Sequence, residues 1–123
     1  MIVKDVMKQP YVIDKDISFA EAARIMSAKG IGSLIIFSKG KIKGIVTEGD
    51  ILKNFNKSGN ISKVMSTKIV TATSDENIED ALETMRENKI KRLPVLDGEK
   101  LVGIITLTDI AAHADELGEE FFF

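Results

Sequence analysis

Apolar residues recur along the chain in two rhythms, one helical and one alternating. Phe19, Ala22, Ala23, Ile25 and Met26 follow Ser18 at three- and four-residue spacing. That pattern predicts a helix, with Ser18 and Glu21 as its capping box and Gly30 as its stop. Two β-rich runs come next, Ser33 to Phe37 and Ile42 to Thr47, joined around Lys39-Gly40 and predicting a hairpin. A second helix is predicted from Glu48 to about Phe55, and the short apolar stretch Tyr11-Val12-Ile13 adds a strand in front. The predicted unit is β-α-β-β-α.

The same order then returns. Ile69-Val70-Thr71 supplies the leading strand, and Asn77 caps a helix whose buried stripe is Ile78, Ala81, Leu82 and Met85, with Asp80 in its first turn. Leu93 to Leu96 and Leu101 to Thr106 form the hairpin around Asp97-Gly98, and a last helix runs from Leu107 to about Leu117. The copies match residue by residue. Met7 answers Met65 at an offset of 58, and after one extra residue Ala22, Met26, Ile31 and Leu34 answer Ala81, Met85, Ile90 and Leu93 at 59. Residues 1–56 form the first repeat, 57–60 a linker, 61–117 the second repeat and 118–123 a C-terminal tail. A unit this small cannot cover its own sheet. The expected class is therefore α+β, with the repeats packed sheet to sheet as a pseudo-two-fold pair and clefts between them.

Composition narrows the function. The chain has no cysteine and one histidine, His113, which argues against disulfides and against Cys- or His-based metal sites. Lys and Arg total 17 against 19 Asp and Glu, so a net charge of -2 provides no long-range attraction for nucleic acid. Runs such as Leu34-Ile35-Ile36-Phe37 are strand-sized, far short of a membrane span. Charges at Lys4, Asp5 and Lys8 interrupt any signal-peptide core, so a cytoplasmic location is expected.

The polar part of the repeat is Gly44-Ile45-Val46-Thr47-Glu48-Gly49-Asp50, answered by Gly103-Ile104-Ile105-Thr106-Leu107-Thr108-Asp109. Thr-x-x-Asp at a strand-helix junction is close to a capping box, which by itself accounts for both residue types. Preservation of a hydroxyl and a carboxylate in both copies also fits a duplicated ligand site. Gly30-Ile31-Gly32 lacks the third glycine of a dinucleotide fingerprint. Met26 and Met85 read as core, and the terminal Phe121-Phe122-Phe123 reads equally as a docking element or a frayed tail.

The duplicated unit, the Val-Met pair near the start of each copy, the two Gly-apolar-apolar-Thr-x-x-Asp junctions and the run Arg92-Leu93-Pro94-Val95 resemble the cystathionine-β-synthase (CBS) domain family over nearly the whole chain. The resemblance implies a tandem pair, or Bateman module, that senses AMP, ADP, ATP or S-adenosylmethionine in interrepeat clefts and is not an enzyme. By position, it implies one site of Thr47, Asp50 and Ile45 with Thr71, Lys91 and Arg92. The other would combine Thr106, Asp109 and Ile104 with Ile13, Gly32 and Ser33. In each, the Asp would hold ribose hydroxyls, the Thr would meet phosphate, and the Ile would lie beside the base. On this grouping the Thr47/Asp50 site, with both cations, is expected to take the more highly charged nucleotide. A homodimer that regulates an enzyme or transporter in trans is also implied. The competing readings are a constitutive dimerisation scaffold and a binder of single-stranded nucleic acid through Lys89, Lys91 and Arg92.

Overall fold

The computed structural model describes residues 1–118, so the Phe121–Phe123 tail lies outside the described residues. The chain forms two compact units, and neither coincides with one contiguous repeat. Tyr11–Ile69 makes one, while Met1–Pro10 joins the chain from Val70 onward in the other.

In the Tyr11–Ile69 unit, β1 (Val12–Ile13) runs parallel to β2 (Ser33–Ser38), which pairs antiparallel with β3 (Lys41–Thr47). Helix α2 spans Phe19–Lys29, with Ser18 Oγ accepting from the Glu21 N–H at 3.1 Å and Gly30 closing it in the left-handed conformation. Helix α3 follows β3 directly as Glu48–Lys53. The core gathers Phe19, Ala22, Met26, Leu34, Ile36 and Val46, and with them Ile61 from a short 3-10 turn, Ile61–Lys63. Asp16 accepts from the Ser62 hydroxyl and from its N–H, ties that turn to the loop before α2, and has its carboxyl held below the usual aspartate value by those bonds.

The other unit repeats the plan with the opening segment of the chain in place of that turn. Val3–Val6 forms a short helix, α1, whose Val3 N–H donates to the Glu76 carbonyl at 2.8 Å. Helix α4 spans Ile78–Asn88, β4 (Arg92–Asp97) pairs antiparallel with β5 (Lys100–Thr106), and α5 (Leu107–Ala111) and α6 (Ala114–Leu117) follow. Val3 and Val6 lie in one core with Ala72, Ile78, Ala81, Met85, Leu93, Val95, Ile105 and Ile110.

Four local expectations change. The leading strand expected at Ile69–Thr71 is reduced to a single parallel bridge between Ala72 and Val95. Pro94 explains this, since it occupies the place of Ile35, whose N–H donates to Tyr11 at 3.0 Å, and proline has no N–H to give. The second hairpin turns at Gly98-Glu99, with Asp97 paired to Lys100 as the last residue of β4. Asp97 is held there by its carboxylate, which accepts from the Ser74 N–H and hydroxyl at 3.1 and 2.7 Å. Asn77 precedes α4 without a side-chain capping bond. The single last helix is split between Ala111 and Ala114.

The Val-Met pairs and the motif glycines meet in the fold. A Cβ at Gly103 would lie 2.5 Å from the Met7 sulfur and 3.3 Å from the Lys8 carbonyl, and one at Gly44 would lie 2.5 Å from the Met65 sulfur. Those glycines make room for methionine. Gly103→Ala is expected to cost about 1–3 kcal/mol by overpacking, read as a lower denaturant midpoint with unchanged slope.

Candidate functional site at the two Thr-x-x-Asp junctions

Each junction is built by the last strand of a hairpin running straight into a short helix. At the first, Thr47 is the extended residue before α3, and the capping box is closed in both directions. The Thr47 hydroxyl oxygen accepts from the Asp50 N–H at 3.2 Å, and Asp50 Oδ2 accepts from the Thr47 N–H at 2.9 Å. Asn54 Nδ2 donates to the Asp50 carbonyl at 2.7 Å. The capping role anticipated from spacing is therefore real.

Around it, Ser33 is the register partner of Thr47 across β2 and β3, and directly opposed residues project to the same face of a sheet. The Glu48 N–H donates to the Gly32 carbonyl at 3.0 Å. Ile45, two residues back on the same strand, exchanges two backbone bonds with Ser66, at 3.0 and 2.9 Å. Ile13 sits on β1 opposite Ile36.

The second junction keeps the frame and changes the bonds. Thr106 Oγ1 accepts from the Asp109 N–H at 3.1 Å and donates its own proton to Asp109 Oδ2 at 2.8 Å. Asp109 Oδ1 is 2.9 Å from the Lys8 ammonium; the Asp109 side chain is only 13% exposed, that of Lys8 71%. Backbone bonds of 2.9 Å in both directions between Lys8 and Ile104 fix the lysine to the strand. Arg92, half-buried, is the register partner of Thr106, and the Leu107 N–H donates to the carbonyl of exposed Lys91 at 2.9 Å. Thr71, half-buried, directly precedes the Ala72 bridge. His113 Nδ1 lies 3.0 Å from the Asp109 carbonyl.

Within one unit, then, the fold brings together Gly32, Ser33, Ile45, Thr47 and Asp50, with Ile13 in the same sheet. Within the other it brings together Lys91, Arg92, Ile104, Thr106 and Asp109, with Thr71 on the adjoining segment. Lys8 escaped the sequence reading, although its place right after the first Val-Met pair, where the second copy has Ser66, was visible as a difference between copies. Among the described residues no cluster of His, Asp and Glu is arranged to hold a metal ion, and no helix is long and apolar enough to cross a membrane.

Two hydroxyl-carboxylate pairs can accept and donate hydrogen bonds to a polar ligand. Comparison with known proteins gives this frame a family. The CBS domain model matches residues 3–57 and again 61–116. The chain is 33% identical to the CBS domain-containing protein YhcV of Bacillus subtilis, over 90% of this chain and 84% of that protein. It is 39% identical to a homoserine O-acetyltransferase of Methanohalobium evestigatum, over 93% of this chain and only 24% of the enzyme. Among solved structures, the CBS domain pair of protein MJ0100, in complex with 5'-methylthioadenosine and S-adenosyl-L-methionine, superposes with a TM-score of 0.87 at 33% identity, covering 96% of this chain and 98% of that one. Two matched copies, each with the α+β elements and the junction described above, show that this chain belongs to the CBS domain family as a tandem domain pair.

Proposed function

We propose that this domain pair is a regulatory module that binds adenosyl ligands at its Thr-x-x-Asp junctions and passes its bound state to an enzyme or transporter in trans. The observation that carries this reading is the likeness to the MJ0100 pair, which holds methylthioadenosine and S-adenosylmethionine. The side chains suit the role. Asp50 and Asp109 each offer carboxylate oxygens to a ribose diol, and Thr47 and Thr106 each place a hydroxyl beside them. AMP, ADP and ATP belong to the same ligand class. Catalysis is not part of the reading, because the acetyltransferase shares only the quarter of its length that matches this domain pair.

Regulation requires the ligand to favour one arrangement or association state over another. In this reading the protein works as a homodimer, for which exposed Leu52 and Phe55, at 68% and 82%, provide apolar surface.

A thermal-shift panel of AMP, ADP, ATP, S-adenosylmethionine, methylthioadenosine and GTP tests the proposal. A ligand at a hundred times its Kd adds about 2.7 kcal/mol, so at least one adenosyl compound is expected to raise the melting temperature by roughly 10 °C. A flat panel, or a response only to a single-stranded oligonucleotide that fades with salt, would sink the sensor reading.

A further inference from the structure

The two junctions share a frame and differ in charge. At the second junction Lys8 is in an ion pair with Asp109, Arg92 is the register partner of Thr106, and exposed Lys91 precedes Arg92, its carbonyl accepting from the Leu107 N–H. The corresponding places around Asp50 hold Ser66, Ser33 and Gly32, and the residue after Thr47 is Glu48 where the second copy has Leu107. Among the described residues no cation pairs with Asp50.

We infer that the junctions divide ligands by charge, the Thr106/Asp109 junction taking phosphate-bearing adenosyl ligands and the Thr47/Asp50 junction neutral or cationic ones, with Lys8 as a specificity-determining residue. The inference rests on the adenosyl-binding reading and reverses the order expected from the sequence, which grouped Lys91 and Arg92 with Thr47.

The physical step is an exchange of partners. A ribose diol needs both Asp109 oxygens, of which Oδ1 faces Lys8 and Oδ2 faces the Thr106 hydroxyl. The proposed exchange moves the Lys8 ammonium off Oδ1 to make way for the diol. Its backbone stays fastened to Ile104, and its side chain, 71% exposed, is free to swing within its own length. A phosphate on the ligand replaces the lost counter-ion, and Arg92 adds a second, fork-shaped donor on the face of Thr106. A neutral ligand offers Lys8 nothing in return. Among the described residues no cation pairs with Asp50 to be displaced, and Glu48 disfavours a phosphate while favouring a sulfonium or ammonium.

Calorimetry with ADP and methylthioadenosine as probes tests the division on the full chain, comparing wild type with Asp50→Asn, Asp109→Asn, Lys8→Ser and Lys8→Arg. ADP binding is expected to survive Asp50→Asn and vanish in Asp109→Asn, with the reverse for methylthioadenosine. Lys8→Ser is expected to weaken ADP about tenfold, the order of one charge-assisted contact, while Lys8→Arg restores it and methylthioadenosine stays within twofold. If wild type takes both probes but ADP is lost in Asp50→Asn and kept in Asp109→Asn, or if Lys8→Ser leaves ADP unchanged, the division is wrong and the sensor reading stands. If wild type takes neither probe, both fall together.

Discussion

Ile61→Ala is expected to remove about 3 kcal/mol of stability, and the loss is expected to fall on the unit that holds the first repeat although Ile61 opens the second. Ile61 is fully buried in the core of Phe19, Ala22, Met26, Leu34, Ile36 and Val46. Its N–H donates to the Ile17 carbonyl at 2.8 Å, and its own carbonyl accepts from Val64 and Met65. Truncating a buried isoleucine forfeits transfer free energy and leaves a cavity, together about 2–5 kcal/mol. Amide hydrogen exchange locates the loss: slow amides of Phe19–Lys29 should speed up more than those of Ile78–Asn88. The opposite ranking, or a loss below about 1 kcal/mol, would contradict the exchanged packing of the repeat openings. Val3, the counterpart of Ile61 in the first copy, makes the matching bond to Glu76 in the core of the second repeat.

That exchange shows where sequence reasoning stops. The repeat makes Val3 and Ile61 counterparts, one at the opening of each copy. It carries no address. Which core receives the segment depends on chain path through residues 7–10 and 65–69, and both destinations are apolar cores built from matching elements. The hairpins, helices and caps at Ser18, Thr47 and Thr106 were legible because their causes are local: spacing, a hydroxyl, a glycine in the left-handed conformation. Pro94 was legible in principle, since a missing N–H is a property of the residue alone, yet its effect on the leading strand needed the register that sets Ala72 beside Val95. The site divides the same way. Threonine and aspartate at the junctions were evident from the repeat, whereas the cation on Asp109 comes from a residue 101 positions earlier, read from Lys8 to Asp109, and only the fold brings them to 2.9 Å.

Asp50→Asn is expected to separate the capping role of Thr-x-x-Asp from its ligand-binding role. The cap needs only an oxygen to accept the Thr47 N–H, and an asparagine side-chain carbonyl can occupy the place of Asp50 Oδ2. Stability should therefore change by less than about 0.5 kcal/mol, whereas Asp50→Ala, which removes the acceptor for the Thr47 N–H and leaves the Thr47 hydroxyl bonded to the residue 50 N–H, should cost about 1 kcal/mol. Ligand binding asks for more. A ribose diol donates two hydroxyl protons, and an amide supplies one acceptor oxygen and an NH2 that meets the second hydroxyl with a donor. Hydrogen bonds to a charged group contribute about 1.5–3 kcal/mol each, so affinity for an adenosyl ligand at this junction should fall by about 100-fold in Asp50→Asn. Denaturation and calorimetry on the same two variants decide the matter. Wild-type affinity in Asp50→Asn would mean that the carboxylate is a cap alone. A stable, folded Asp50→Asn that has lost its ligand would mean that the capping geometry is the means by which the chain holds a ribose acceptor in place.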